Sequence, residues 1–95
     1  SNNNLRLKIL SVKFKKKNFY GGAAARAQQI EIIGELEYIF LNSVINKNGT
    51  LRTSSWIPVN EANPLSEIVA QKTIIEELEF VLLEKLMEEY WSVES

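Results

Sequence analysis

The sequence predicts an α+β domain: an antiparallel three-stranded meander with one long C-terminal helix packed on one face (β-β-β-α). Residues 5–17, 29–41 and 50–59 alternate apolar and polar side chains with the two-residue period of a strand. After residue 64 the apolar side chains recur at helical spacing instead. Asn46-Lys47-Asn48-Gly49 supplies a hairpin signal between the second and third strands, and Asn63-Pro64 a helix start.

The first strand carries a phase fault. Leu5, Leu7 and Ile9 alternate on one phase, then Leu10, Val12 and Phe14 on the other, which is what one extra residue in a β-bulge produces. Arg6 and Lys8 lie opposite the first apolar set and Lys13 and Lys15 opposite the second, so all four fall on the polar side of the sheet. Lys16 and Lys17 are expected to run into a loop. Phe19 to Ala25, with Gly21-Gly22 at its centre, reads as that loop, because paired glycines admit positive φ. The Ala23-Ala24-Ala25-Arg26-Ala27 run is too short to nucleate a helix alone and reads as loop or strand start.

In the second strand Ile30, Ile32, Leu36, Tyr38 and Phe40 share one face, and Gln29, Glu31, Glu35 and Glu37 the other. Ile33, Ile39 and Leu41 interrupt the polar face, and Gly34 on the apolar face admits a large neighbour at close range. The third strand places Leu51, Thr53, Ser55, Ile57 and Val59 on one phase and Arg52, Ser54 and Trp56 on the other. Pro58 cannot donate a ladder hydrogen bond and ends it or lies on an edge.

Asn63 is expected as N-cap, with Pro64 at the first helical position, where its missing N–H costs nothing. The helix is expected to run to about Tyr90. Its buried stripe is Ile68, Ile75, Leu78, Leu82 and Leu86, widened by Ile74, Val81 and Leu83, with Glu67, Glu76, Glu77, Glu84, Glu88 and Glu89 around it. Residues 5–91 thus read as one domain, with 1–4 a disordered start or tag remnant and 92–95 a tail. One helix on three strands leaves a sheet edge and part of a face uncovered. An N-terminal β-α unit outside this sequence, a second copy or a partner is expected to cover them.

Composition narrows the chemistry. The chain has no cysteine, histidine or aspartate, which removes disulfides, thiolate metal sites and the commonest general base. No catalytic motif is present, and Gly21-Gly22 lacks the spacing and the Lys-Ser/Thr of a phosphate loop. A non-enzymatic role with no cofactor and no metal is expected. No segment reaches the ~18 to 20 apolar residues of a membrane span.

Charge is sorted along the chain. Residues 1–29 hold seven cations and no acid, whereas residues 61–95 hold nine glutamates against Lys72 and Lys85. The acidic segment is mostly helix surface. The basic segment, Arg6, Lys8, Lys13, Lys15, Lys16 and Lys17, admits two readings: an anion-binding surface for lipid phosphate or nucleic acid, or a solvated strand with lysines protecting an exposed edge. Tyr20 and Trp56 are candidate interface residues. Trp56 and Trp91 each read as an interface anchor or as a half-buried core position.

The order of elements resembles the C-terminal part of the LPS-assembly lipoprotein LptE family. The features that carry the resemblance are the Leu5-Arg6-Leu7 strand opening, a polar loop, the long strand from Ile30 to Leu41 and the Asn48-Gly49 turn. A third strand, Asn63-Pro64 and an Ala70-containing entry into a Glu-rich helix ending near Leu86 complete it. The resemblance implies a small α+β domain on the periplasmic face of the outer membrane, tethered in the family by a lipidated cysteine. It also implies an LptD-like β-barrel partner and a part in lipopolysaccharide transport. On residues alone, a nucleic-acid-binding module using the basic first strand and a cytosolic homodimer joined through a free sheet edge stay open as alternatives.

Overall fold

A computed structural model describes residues 4–21, 26–58 and 63–94, with the side chains of Tyr20 and of residues 26–28 outside the description. The element order is β1 (Arg6–Gly21), β2 (Arg26–Leu41), β3 (Asn46–Pro58) and α1 (Pro64–Glu94). The strands form one antiparallel sheet in the order β1-β2-β3, the expected meander, and α1 lies along one face over β2 and β3. Strands of 16 residues and a helix of 31 have similar lengths, roughly 50 Å each at their ordinary rises, and the molecule extends 59 Å along its main axis.

Alternation in β2 dictates which face is buried. Ile30, Ile32, Leu36, Tyr38 and Phe40 all point under the helix and are buried. They meet Leu78, Leu82 and Leu86 of α1 in two clusters. One joins Leu5, Leu36, Tyr38, Phe40, Leu82 and Leu86, the other Ile30, Ile32, Ile57 and Leu78, and Phe14 packs against both. Phe14 pairs directly with Gly34, whose missing side chain makes room for the ring: a Cβ there would lie 2.8 Å from Phe14 Cε1 and 3.2 Å from Leu82 Cδ1. The expected bulge is present as a register shift between Ile9 and Ser11, with Leu10 as the extra residue.

Three expectations are corrected. First, β1 does not give way to a loop after Lys15. Pairing continues through Lys16↔Ile32, Lys17↔Glu31 and Phe19↔Gln29 to Gly21↔Arg26, helped by a second register shift between Phe19 and Tyr20. Arg26 and Ala27 belong to β2, whereas residues 22–25, including Ala23 to Ala25, lie outside the described residues.

Second, Asn48-Gly49 is not the hairpin turn. The chain reverses earlier, at residues 42–45, where the Asn42 side-chain oxygen accepts the N–H groups of Val44 and Ile45 and the Asn42 N–H donates to the Ile45 carbonyl. Gly49 instead pairs with Tyr38 inside β3, with the Tyr38 ring over the place its Cβ would occupy.

Third, the helix buries less than its widened stripe suggested. Ile68 is 63 % exposed and Leu83 47 %. Leu78 packs with Ile57, one residue from the end of β3, and Ile68 lies ten residues earlier, about 15 Å farther along the axis, past the apolar part of the sheet. Asn63 caps the helix, its Oδ1 accepting the Ser66 N–H at 3.0 Å. The helix continues past the expected end near Tyr90 to Glu94.

Candidate anion-binding surface

The face of the sheet turned away from α1 collects the basic residues. Cross-strand partners share a face, so register fixes what each cation stands beside. Lys13 is opposite Glu35 and Lys17 opposite Glu31, while Ser11 faces Glu37 and Lys15 faces Ile33. On the other side of β2, Glu35 holds Arg52 at 3.1 Å. A row of glutamates therefore runs between the lysines of β1 and Arg52, and the middle of this face is a mixed-charge lattice.

Lys16 departs from the rest. Its partner Ile32 points under the helix, so Lys16 lies on the helix side of the sheet, exposed beyond the helix edge. Lys17 is on the outer face, its ammonium 5.9 Å from the Phe19 ring centroid. Tyr20 pairs through its backbone with Ala27, and its side chain lies outside the described residues. Trp56 is on the outer face, 46 % exposed, and meets Phe19 over β2 with ring centroids 4.7 Å apart. That contact between β1 and β3 was not foreseen, since it needs Phe19 in a strand.

At the opposite end the charge balance changes. Arg6 and Lys8 stand opposite Leu41 and Ile39, with no acid across from them. Together with Leu10, which the bulge leaves half exposed, these residues line a shallow groove with an apolar floor and two cations at its rim. Ile39 and Leu41 were legible as interruptions of a polar face, and Leu10 as the phase fault. Their convergence depends on register.

Tyr90 fastens this end of β1. Its hydroxyl lies 3.0 Å from the Leu5 carbonyl oxygen and 3.2 Å from Glu94 Oε2, and its ring meets Phe40 edge-on. Partial withdrawal from water and then the Glu94 carboxylate raise the phenol above its ordinary value. A phenol raised in the folded state favours folding below about pH 10 and loses that contribution as pH rises through the folded value. Urea midpoints of the parent chain are therefore expected to fall between pH 9 and 11 more steeply than those of Tyr90→Phe. Parallel curves would remove Tyr90 from the alkaline response.

The described residues define a helix-backed, three-stranded α+β domain with one open sheet face, basic and apolar at one end and charge-balanced in the middle. No family model and no curated protein matches the chain. Rare lipoprotein B from Shewanella oneidensis is similar in fold, with a TM-score of 0.87 at 10% sequence identity over 99% of this chain and 72% of that one. At that identity the likeness is one of fold.

Proposed function

We propose that this chain is a non-enzymatic, envelope-associated binding protein that works with an LptD-like β-barrel on the periplasmic face of the outer membrane and contacts lipopolysaccharide. The observation that carries this reading is the likeness to rare lipoprotein B along nearly the whole chain. The groove at Arg6, Lys8, Leu10, Ile39 and Leu41 supports it, because a phosphorylated acyl lipid needs charge-assisted donors beside apolar surface. A nucleic-acid strand lying along β1 would meet Glu31, Glu35 and Glu37, which disfavours that alternative.

The reading ranks the cations. Arg6 and Lys8 are the principal lipid contacts; Lys13 and Lys17 have acids across the strand, and Lys15 and Lys16 lie away from the groove. Arg6→Glu with Lys8→Glu is expected to weaken binding to lipopolysaccharide micelles at least tenfold. Lys13→Glu with Lys17→Glu is expected to change it less than threefold while costing some stability. Equal losses in both pairs would reduce the site to general charge, and no loss in either would sink the lipid reading.

A further inference from the structure

Helix α1 is apolar on two sides, and only one of them is used by the sheet. Phe80, Leu83, Met87 and Trp91 follow one another at spacings of three, four and four residues and are 64 %, 47 %, 43 % and 63 % exposed. Phe80 is two residues from both Leu78 and Leu82, about 200° around the axis from the buried stripe, so it points away from the sheet. An isolated exposed apolar side chain is ordinary, but an unbroken line of large ones over about 16 Å, three helical turns, is not.

The flanks of this stripe are acidic. Glu76 and Glu84 lie one turn either side of Phe80, and Glu77 and Glu88 continue the rim. Lys72, one turn before Glu76, offsets the N-terminal end of this rim, but Lys85 donates to the Arg52 carbonyl on the β3 side and Glu89 pairs with Lys47 on that same side, so the acidic excess rests on Glu77, Glu84 and Glu88. The stripe is therefore complementary to an apolar ridge with cationic flanks.

We infer that this outer face of α1 docks a basic amphipathic helix of another polypeptide. One apolar side chain per turn on each helix lets ridges interlock, and Lys or Arg beside the partner's ridge meets Glu77, Glu84 and Glu88. A second copy of this chain would set one acidic rim against another, and an anionic bilayer would meet the same repulsion. The surface is on the far side of α1 from the sheet, so this inference does not depend on the lipid reading.

The test uses the full chain carrying Trp56→Phe, which leaves Trp91 as the reporter in the stripe. It is titrated with an 18-residue Leu/Lys peptide patterned as an amphipathic helix, with the same composition scrambled, and with the patterned peptide bearing Glu for Lys. The patterned cationic peptide is expected to shift Trp91 emission to the blue and to bind at least tenfold more tightly than either control. Leu83→Ser with Met87→Ser should weaken it at least tenfold with the circular dichroism unchanged. No binding, equal binding of patterned and scrambled peptides, or binding that survives the double substitution would overturn the inference. So would a blue shift on phosphatidylglycerol vesicles, or self-association that Met87→Lys abolishes.

Discussion

Replacing Leu82 with alanine is expected to lower folding stability by about 3 to 4 kcal/mol, the upper-middle of the range for large-to-small changes in a core. Leu82 is fully buried and belongs to the cluster that joins Leu5, Leu36 and Phe40, with its Cδ1 against the space above Gly34. Removing its branched end leaves a void that the neighbours cannot fill, since Leu36 and Phe40 are fixed in the pleat of β2 and Leu86 on its own helical turn. One helix supplies the whole cover for the sheet among the described residues, so no other element can slide in to compensate. Urea unfolding followed by circular dichroism measures the loss. A change below about 1 kcal/mol would mean that α1 is less tightly seated than its buried leucines imply.

The second large effect concerns Gly34, and its size should depend on Phe14. In the parent chain, Gly34→Ala places a methyl group 2.8 Å from the Phe14 ring and 3.2 Å from Leu82, an overpacking expected to cost about 2 kcal/mol. Alanine otherwise suits a strand better than glycine by roughly 0.5 to 1 kcal/mol. In a Phe14→Ala background the contacts with the ring disappear and only Leu82 Cδ1 at 3.2 Å must give way, so the same substitution should become close to neutral. A double-mutant cycle is expected to give a coupling of about 1 to 3 kcal/mol between the two positions. Additive costs would show that the ring does not occupy the space over Gly34. The pair matters because Phe14 packs against both halves of the core, and shifting it separates them.

The parts of this fold that were legible are those where one physical signal acts alone. The buried face of β2 follows from alternation, and the vacancy at Gly34 from a glycine interrupting it. The bulge follows from two apolar neighbours, Ile9 and Leu10, in an alternating strand. Misreadings fall where two signals compete. Asn48-Gly49 is a stronger turn signal than Asn42-Ser43-Val44-Ile45, yet the turn forms at Asn42, whose side chain closes it, while Gly49 accommodates Tyr38. Lys15 to Asn18 lack the alternation that marks a strand, and only pairing with β2 holds them in one.

The candidate surface follows the same division. Alternation alone puts Arg6, Lys8, Lys13 and Lys15 on one side of the sheet. Which of them faces an acid is a matter of register, and register is set by the turn and by the extra residue at Leu10. The sequence therefore shows a basic strand, whereas pairing divides it into Lys13 and Lys17, which face acids, Lys15 and Lys16, which face isoleucines, and an Arg6–Lys8 end that borders the apolar groove. The outward stripe of α1 was hidden for a different reason: Leu83 reads as part of the sheet-facing set, and Phe80 and Met87 gain meaning only once that set is placed.

The central functional claim is that the Arg6–Lys8–Leu10 end of the open sheet face receives a phosphorylated lipid. The most direct measurement is a backbone amide chemical-shift map of the isotope-labelled chain during titration with lipopolysaccharide in a micelle that keeps the complex tumbling freely. The expected result is a set of saturating shifts confined to residues 6–11 and 39–41, with residues 13–17 of β1 and the outer face of α1 little changed. Shifts spread evenly along β1, or centred on Phe80 to Trp91, would contradict it.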